Sequence, residues 1–162
     1  MDKQKLSQCL QMLYRIKKVQ PQWTGDSVVQ DLSFLGKNLM PYGNCAIEAV
    51  EFFVLNSDPF FPAFGAIIDK AKGLYAISQG ASSPDKCFND LKVLIVKHGR
   101  DYKPELEPIM KRLVDRYGGW YNLCQSKEID KDRFDKIYNE ELLLWAEEYA
   151  TSRIGLGKLS VE

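Results

Sequence analysis

"PDKCFNDLKVLIVKHG", residues 84–99, decides the fold class. Its centre, "KVLIV" at 92–96, is aliphatic and partly β-branched, and in isolation it reads as a buried strand. The wider window reads differently. Phe88, Leu91, Leu94, Ile95 and His98 recur at steps of three, three, one and three, which follows the helical period and not the alternation of a strand. The ends agree with a helix. Ser83 before Pro84 has the form of an N-cap followed by proline at the first helical position, and Gly99 stands where a helix terminator belongs. With this segment assigned to helix, no other segment offers a convincing strand partner. The chain is expected to be all-α, a compact bundle of about six to eight helices.

The neighbouring segments carry the same period. Leu6, Cys9, Leu10, Leu13, Ile16 and Val19 form one apolar stripe, stopped by Pro21 and Gly25 in "QPQWTGDS". Asp26 or Ser27 then caps a helix with Val28, Val29, Leu32 and Leu35 on its core face. "KNLMPYGN" reads as a loop. Ala46, Ile47, Val50, Phe53 and Val54 mark a third helix, and Pro62 suits the first turn of a fourth through Phe64, Ile67, Ile68 and Ala71. Downstream of Gly99, a helix with Ile109, Met110, Leu113, Val114 and Tyr117 runs to Gly118. "GWYNLC" allows one or two helical turns. Asp130 or Asp132 caps a long last helix, with Phe134, Ile137, Tyr138, Leu142, Trp145 and Tyr149 on its buried face. One helical domain is expected over residues 1–150, with a division into 1–78 and 83–150 as the alternative. Residues 151–162, "TSRIGLGKLSVE", hold two glycines and no clear period, and are expected to form a flexible C-terminal tail.

Composition narrows the function classes. The 162 residues are 45% hydrophobic and 27% charged, values of a soluble globular protein with a real core. Lys plus Arg and Asp plus Glu each number 22, so the basic excess of a dedicated nucleic-acid binder is missing and direct DNA binding is expected to be weak or absent. Cys9, Cys45, Cys87 and Cys124 contain no C-x-x-C pair and are expected to be four buried free thiols in a reducing cytoplasm, not zinc ligands. The first residues lack a signal-peptide pattern, and no apolar run suits a membrane span.

Candidates for chemistry are few. His98 is the single histidine, so any Ser-His or Cys-His pair must use it, and its place at the end of a helix suits an interaction with the last carbonyls. "GLGK" lacks the strand, spacing and following Ser/Thr of a phosphate loop. The pairs Glu105 and Glu107, Asp130 and Asp132, Glu140 and Glu141, and Glu147 and Glu148 read as solvated faces. No catalytic residue, cofactor or metal site is expected. Arg15, Lys17 and Lys18 read as a solvated helix end; with Lys111 and Arg112 they support an alternative role as a DNA-binding replication accessory or transcription regulator. An enzyme with an unrecognised carboxylate site is a third reading. Three loop aromatics, Trp23, Phe60 and Phe61, are candidates for a partner surface. Ile154, Leu156 and Leu159 are candidates for a docking segment that orders on binding.

The apolar helix "AIEAVEFFVLNSDPF" followed by "FPAFGAII" (residues 46–68), and the "GGW" corner at 118–120 ahead of a helix with Phe134 and Tyr138 four apart, together resemble the phage replicative-helicase loader and inhibitor proteins. The similarity covers most of residues 20–140. It departs from the family pattern where a second proline is expected, since Ala63 follows Pro62. The resemblance implies a non-enzymatic DNA replication adaptor. Such a protein binds a hexameric replicative helicase, holds it inactive and helps load it at the origin, with other phage replication proteins as further partners. It would act in the bacterial host cytoplasm.

Overall fold

The computed structural model describes residues 2–17, 25–126 and 128–159, and the side chains among them except those of residues 25, 26 and 153–159. Among these residues the fold is all-α, with eight α-helices, one 3-10 turn and no strand. Contacts divide the chain into two units: Met1–Tyr75 with Ala146–Glu162, and Ala76–Trp145.

The first unit starts with α1 (Lys3–Ile16), whose first free N–H groups are satisfied by Asp2: its carboxylate accepts from Gln4 N at 2.9 Å and Lys5 N at 3.2 Å. Leu6, Leu10 and Leu13 are buried, as the stripe requires, whereas Cys9 is half-buried and Ile16 exposed. Helix α2 (Gly25–Leu39) passes into a 3-10 turn at Met40–Tyr42, where a loop was expected, and then through Gly43 (φ 61°) into α3 (Asn44–Leu55). Proline at the second position of "MPY" suits such a tight turn, since its missing N–H is not needed there. Ala46, Ile47, Ala49 and Val50 bury the centre of α3. Helix α1 packs chiefly on α3 and less extensively on α2. Helix α4 spans Phe64–Ser78, with Ile67, Ala71 and Tyr75 buried. Tyr75 lies edge-on to Tyr42 at 5.8 Å and tilted against Tyr149 at 6.4 Å.

In the second unit, α5 (Pro84–His98) is a helix across the whole of "KVLIV". The Ser83 side chain accepts from Lys86 N at 3.3 Å, and Gly99 (φ 61°) ends the helix with its N–H on Ile95 O. Cys87 and Leu91 are its buried residues; Val93 and Val96 face out, so the strand-like run is split between two helix faces. Helix α6 (Pro108–Arg116) buries Ile109, Met110, Leu113 and Val114. It ends in a paired closure in which Gly119 N–H reaches Val114 O at 2.9 Å and Gly118 N–H reaches Asp115 O at 3.0 Å. Both glycines are needed. Gly118 has φ 82°, and a Cβ there would sit 2.9 Å from Asn122 Nδ2; Gly119 has φ 94° and ψ 169°, a region that only glycine enters readily.

The corner delivers Trp120, the first residue of α7 (Trp120–Gln125), into the core. Its side chain is 4% exposed, and its indole N–H donates to Gly99 O at 2.8 Å. One side chain therefore fills space behind α6 and satisfies a carbonyl at the end of α5. Asp130 then caps α8 (Lys131–Leu159), accepting from Arg133 N at 2.6 Å. Phe134, Tyr138 and Leu142 are buried, with Phe134 edge-on to Phe88 at 5.0 Å and Tyr138 donating its hydroxyl to Ser82 O.

Helix α8 continues to Leu159, past the break expected at 150. Gly155 and Gly157 cost about 1 kcal/mol each against alanine. Extension of an existing helix carries no nucleation cost, however, so two glycines do not terminate it. The acidic faces also differ from expectation. Glu141 is 7% exposed and lies between two guanidinium groups of α6, Arg116 Nε at 3.3 Å and Arg112 Nη1 at 3.6 Å. Of the four cysteines only Cys87 is buried; Cys9, Cys45 and Cys124 are half-buried, and all four are free thiols.

If Trp120 carries the corner, Trp120→Ala lowers stability by about 3–5 kcal/mol, the usual cost of emptying a large buried aromatic site. Trp120→Phe, which keeps most of the volume but removes the indole donor and leaves Gly99 O only the weaker Cys124 Sγ contact at 3.5 Å, costs less, about 1–2 kcal/mol. Urea melts measure both, and a Trp120→Phe variant as stable as the parent would exclude the hydrogen bond as a contributor. A second expectation concerns alkaline pH. Burial, first among the causes, pushes the Tyr42 and Tyr138 hydroxyls and the Cys87 thiol up to about 12 from ordinary values of 10.0 and 9.0. These groups hold their protons more tightly when folded, so their contribution is complete below the unfolded values and is lost as pH rises through the folded ones. The urea midpoint should stay level up to about pH 8.5 and fall progressively from about pH 9 to 12; a level midpoint across that range would show that burial does not hold these protons.

Candidate functional site

In the first unit α1 and α2 present facing apolar stripes that do not close on each other. Leu6, Leu10 and Tyr14 come from α1, and Val28, Leu32 and Gly36 from α2; they line an open groove of about 700 Å³. The steps of four along each helix are those of a single helix face. Gly36 lies opposite Leu10, and a Cβ placed there would stand 3.7 Å from Leu10 Cδ1, an ordinary contact distance. Around this contact the α2 face stays uncovered. Val29 is 71% exposed, and Met40 and Phe34 are also exposed. A shallower hollow of about 310 Å³, lined by Val29, Ser33, Phe34 and Lys37 among others, continues the apolar surface around α2.

The sequence reading places Val28, Val29, Leu32 and Leu35 in the core. Only Leu35 is fully buried; Val28 and Leu32 are half-buried groove walls and Val29 faces out. The stripe itself was the visible signal. What it could not reveal is that α1 covers the face incompletely; α1 packs more extensively on α3 than on α2.

One wall of the groove is braced from behind. Tyr14 lies edge-on to Phe61 at 6.5 Å, and Phe61 in turn to Phe64 at 6.2 Å. The loop bearing Phe61 is shaped by its own side chains: Asp58 N–H donates to Asn56 Oδ1 at 3.1 Å and Phe60 N–H to Asp58 Oδ1 at 2.9 Å. Lys17, just past the end of α1, locks this loop. Its ammonium donates to Asn56 O at 2.8 Å and Asp58 O at 2.7 Å, and the residue is 3% exposed. Lys17 was expected to be part of a solvated basic run. The carbonyls of a tight loop recruit it instead, since a backbone turn leaves acceptors with no helix or sheet donor.

Of the predicted partner residues, Phe60 is 60% exposed on this loop, and Phe61 is half-buried as a brace for Tyr14. Trp23 lies outside the described residues, as do the side chains of Ile154, Leu156 and Leu159, whose backbone is the last part of α8. The cations of the DNA-binding alternative are dispersed in use: Lys17 is buried on two carbonyls, Arg112 pairs with Glu141, Lys18 lies outside the described residues, and Arg15 and Lys111 are exposed. His98 ends α5 with its ring stacked on Tyr102 at 5.2 Å. Among the described residues, no group of three or more His, Cys, Asp or Glu side chains is arranged to hold a metal ion, and no helix is long and apolar enough to cross a membrane.

Replacing Lys17 by Met keeps the stem and removes the donors, leaving two carbonyls without their charged partner. A loss of about 1–3 kcal/mol is expected in thermal or urea unfolding. Stability equal to the parent would show that water replaces the ammonium at no cost. The chain matches no family model, no curated protein and no solved structure.

Proposed function

We propose that this protein is a protein-binding adaptor that works through the α1–α2 groove, and that its partner is the hexameric replicative helicase implied by its resemblance to the phage loader and inhibitor proteins. The observation that carries the adaptor reading is the open apolar groove itself, with Val29 left 71% exposed beside it. Leaving a side chain of that kind in water forgoes about 1.5–3 kcal/mol of burial, and contiguous exposed apolar surface marks interaction sites. The identity of the partner rests on the resemblance alone. On this reading the adaptor binds one state of the helicase ring, holds it inactive and releases it at the origin when a competing partner binds. It acts in the cytoplasm of a bacterial host, together with other phage replication proteins.

Two variants separate the groove from the C-terminal segment as the docking element. Val29→Glu changes an exposed position, so folding stability should move by no more than about 0.5 kcal/mol. Its affinity for a helicase should fall at least about tenfold, by 1.4 kcal/mol or more. Removal of residues 151–162 should leave that affinity within about a factor of three if the groove carries the contact, a change of well under 1.4 kcal/mol. The reverse pattern, with truncation abolishing binding and Val29→Glu neutral, would move docking to Ile154, Leu156 and Leu159. Titration against purified replicative helicases of several bacterial hosts, read by light scattering, measures both. Absence of binding to every helicase would overturn the helicase assignment.

A further inference from the structure

The groove between α1 and α2 carries charge of one sign. Lys3 at the start of α1, Arg15 near its end and Lys37 on α2 all line it and are all exposed, and among the described residues no carboxylate lines it. The chain as a whole is balanced, with 22 cationic and 22 anionic side chains, so this bias is local. Elsewhere in the unit, cations have partners: Lys72 sits 2.7 Å from Glu147, Lys5 lies 3.8 Å from Glu51, and Lys17 is held by two carbonyls. The acid next to Lys3 in sequence, Asp2, is engaged in capping α1. Lys3 and Arg15 are separated by 12 positions on one helix, roughly 18 Å at the helical rise of 1.5 Å per residue.

We propose that the groove receives an acidic amphipathic helix of a partner protein, about three to four turns long. Apolar side chains at i, i+3, i+4 and i+7 enter between Leu10 and Leu32, above Gly36. Carboxylates near both ends and along one flank meet Lys3, Arg15 and Lys37. Both walls are helix faces and neither offers a strand edge, so an extended peptide would find no backbone hydrogen bonds here. A nucleic-acid strand would pair with the cations but leave the apolar floor wet. This inference rests on the adaptor reading for its biological setting, and it names the chemistry of the docking element, which that reading leaves open.

The test uses the full chain and a labelled, stapled helical peptide with Leu at the four anchor positions and Glu at the remaining ones. A second peptide has every Glu replaced by Lys. Fluorescence anisotropy should show saturable binding of the Glu peptide and at least a tenfold weaker response to the Lys peptide. The triple variant Lys3→Glu, Arg15→Glu, Lys37→Glu should reverse that preference. Val29→Glu should weaken the Glu peptide without disturbing the fold, and salt should weaken it more than it weakens an uncharged control. Equal affinity for both peptides, no binding of either, or tighter binding of an oligonucleotide of the same charge would overturn the proposal. So would a homodimer in sedimentation that the triple variant dissociates, because the groove would then belong to a second copy. The helicase and peptide experiments fail separately. Peptide binding without helicase binding removes only the helicase assignment, and groove-dependent helicase binding without charge preference removes only the acidic helix.

Discussion

The indole N–H of Trp120 bonded to the carbonyl of Gly99 is the most compact answer to a constraint that runs through this whole fold. A chain built from short helices has many ends, and each end leaves several backbone donors or acceptors without intrahelical partners. The solutions differ from corner to corner. Asp2, Ser83 and Asp130 cap helix starts with side-chain oxygens; Gly118 and Gly119 fold the end of α6 back on its own carbonyls; Asn122 donates to Gly118 O at 2.8 Å. Trp120 is distinctive in combining a core plug with a cap. Burying a tryptophan demands a partner for its N–H, and the end of a helix supplies a carbonyl that demands a donor, so each requirement is met by the other.

These local solutions were largely legible in the sequence, because a cap is written in one or two residues at fixed spacing. Ser83-Pro84, Gly99, Asp130 and the Gly118-Gly119-Trp120 corner all act as their residue types suggest. The helix across "KVLIV" was legible for a related reason: its flanking caps fixed the window in which the period had to be read. What failed were inferences that assigned a side chain to solvent because it is charged, or to the core because it is apolar. Lys17 and Glu141 are buried because carbonyls in one case and two guanidinium groups in the other make burial tolerable. Val29 is exposed although it belongs to an apolar stripe. Those outcomes depend on which helices pack together, and a single sequence holds no direct record of that. The continuation of α8 past Gly155 and Gly157 has the same character, since a propensity counted per residue misses the momentum of a helix already formed.

The candidate site was therefore visible as a stripe and invisible as a groove. The face containing Val28 and Leu32 was read correctly as apolar, and a helix face of that kind is normally closed by its neighbour. Here Leu10 lies opposite Gly36 of α2, and the space between the two helices stays open, lined by Leu6 and Tyr14 from α1 and by Val28 and Leu32 from α2.

The buried lysine and the open groove are parts of one arrangement. Tyr14 and Lys17 lie three positions apart at the end of α1. Tyr14 faces the groove and packs against Phe61, while Lys17 ties down the carbonyls of the loop from which Phe61 projects. If that loop were loose, Tyr14 would lose the ring that backs it. A charged side chain spent on two carbonyls keeps the wall upright before anything binds. Binding then need not supply the entropy of ordering it. If the groove docks a partner as proposed, little of the contact energy is consumed in reshaping the site, and the affinity is set by a few apolar anchors and the sign of the surrounding charge.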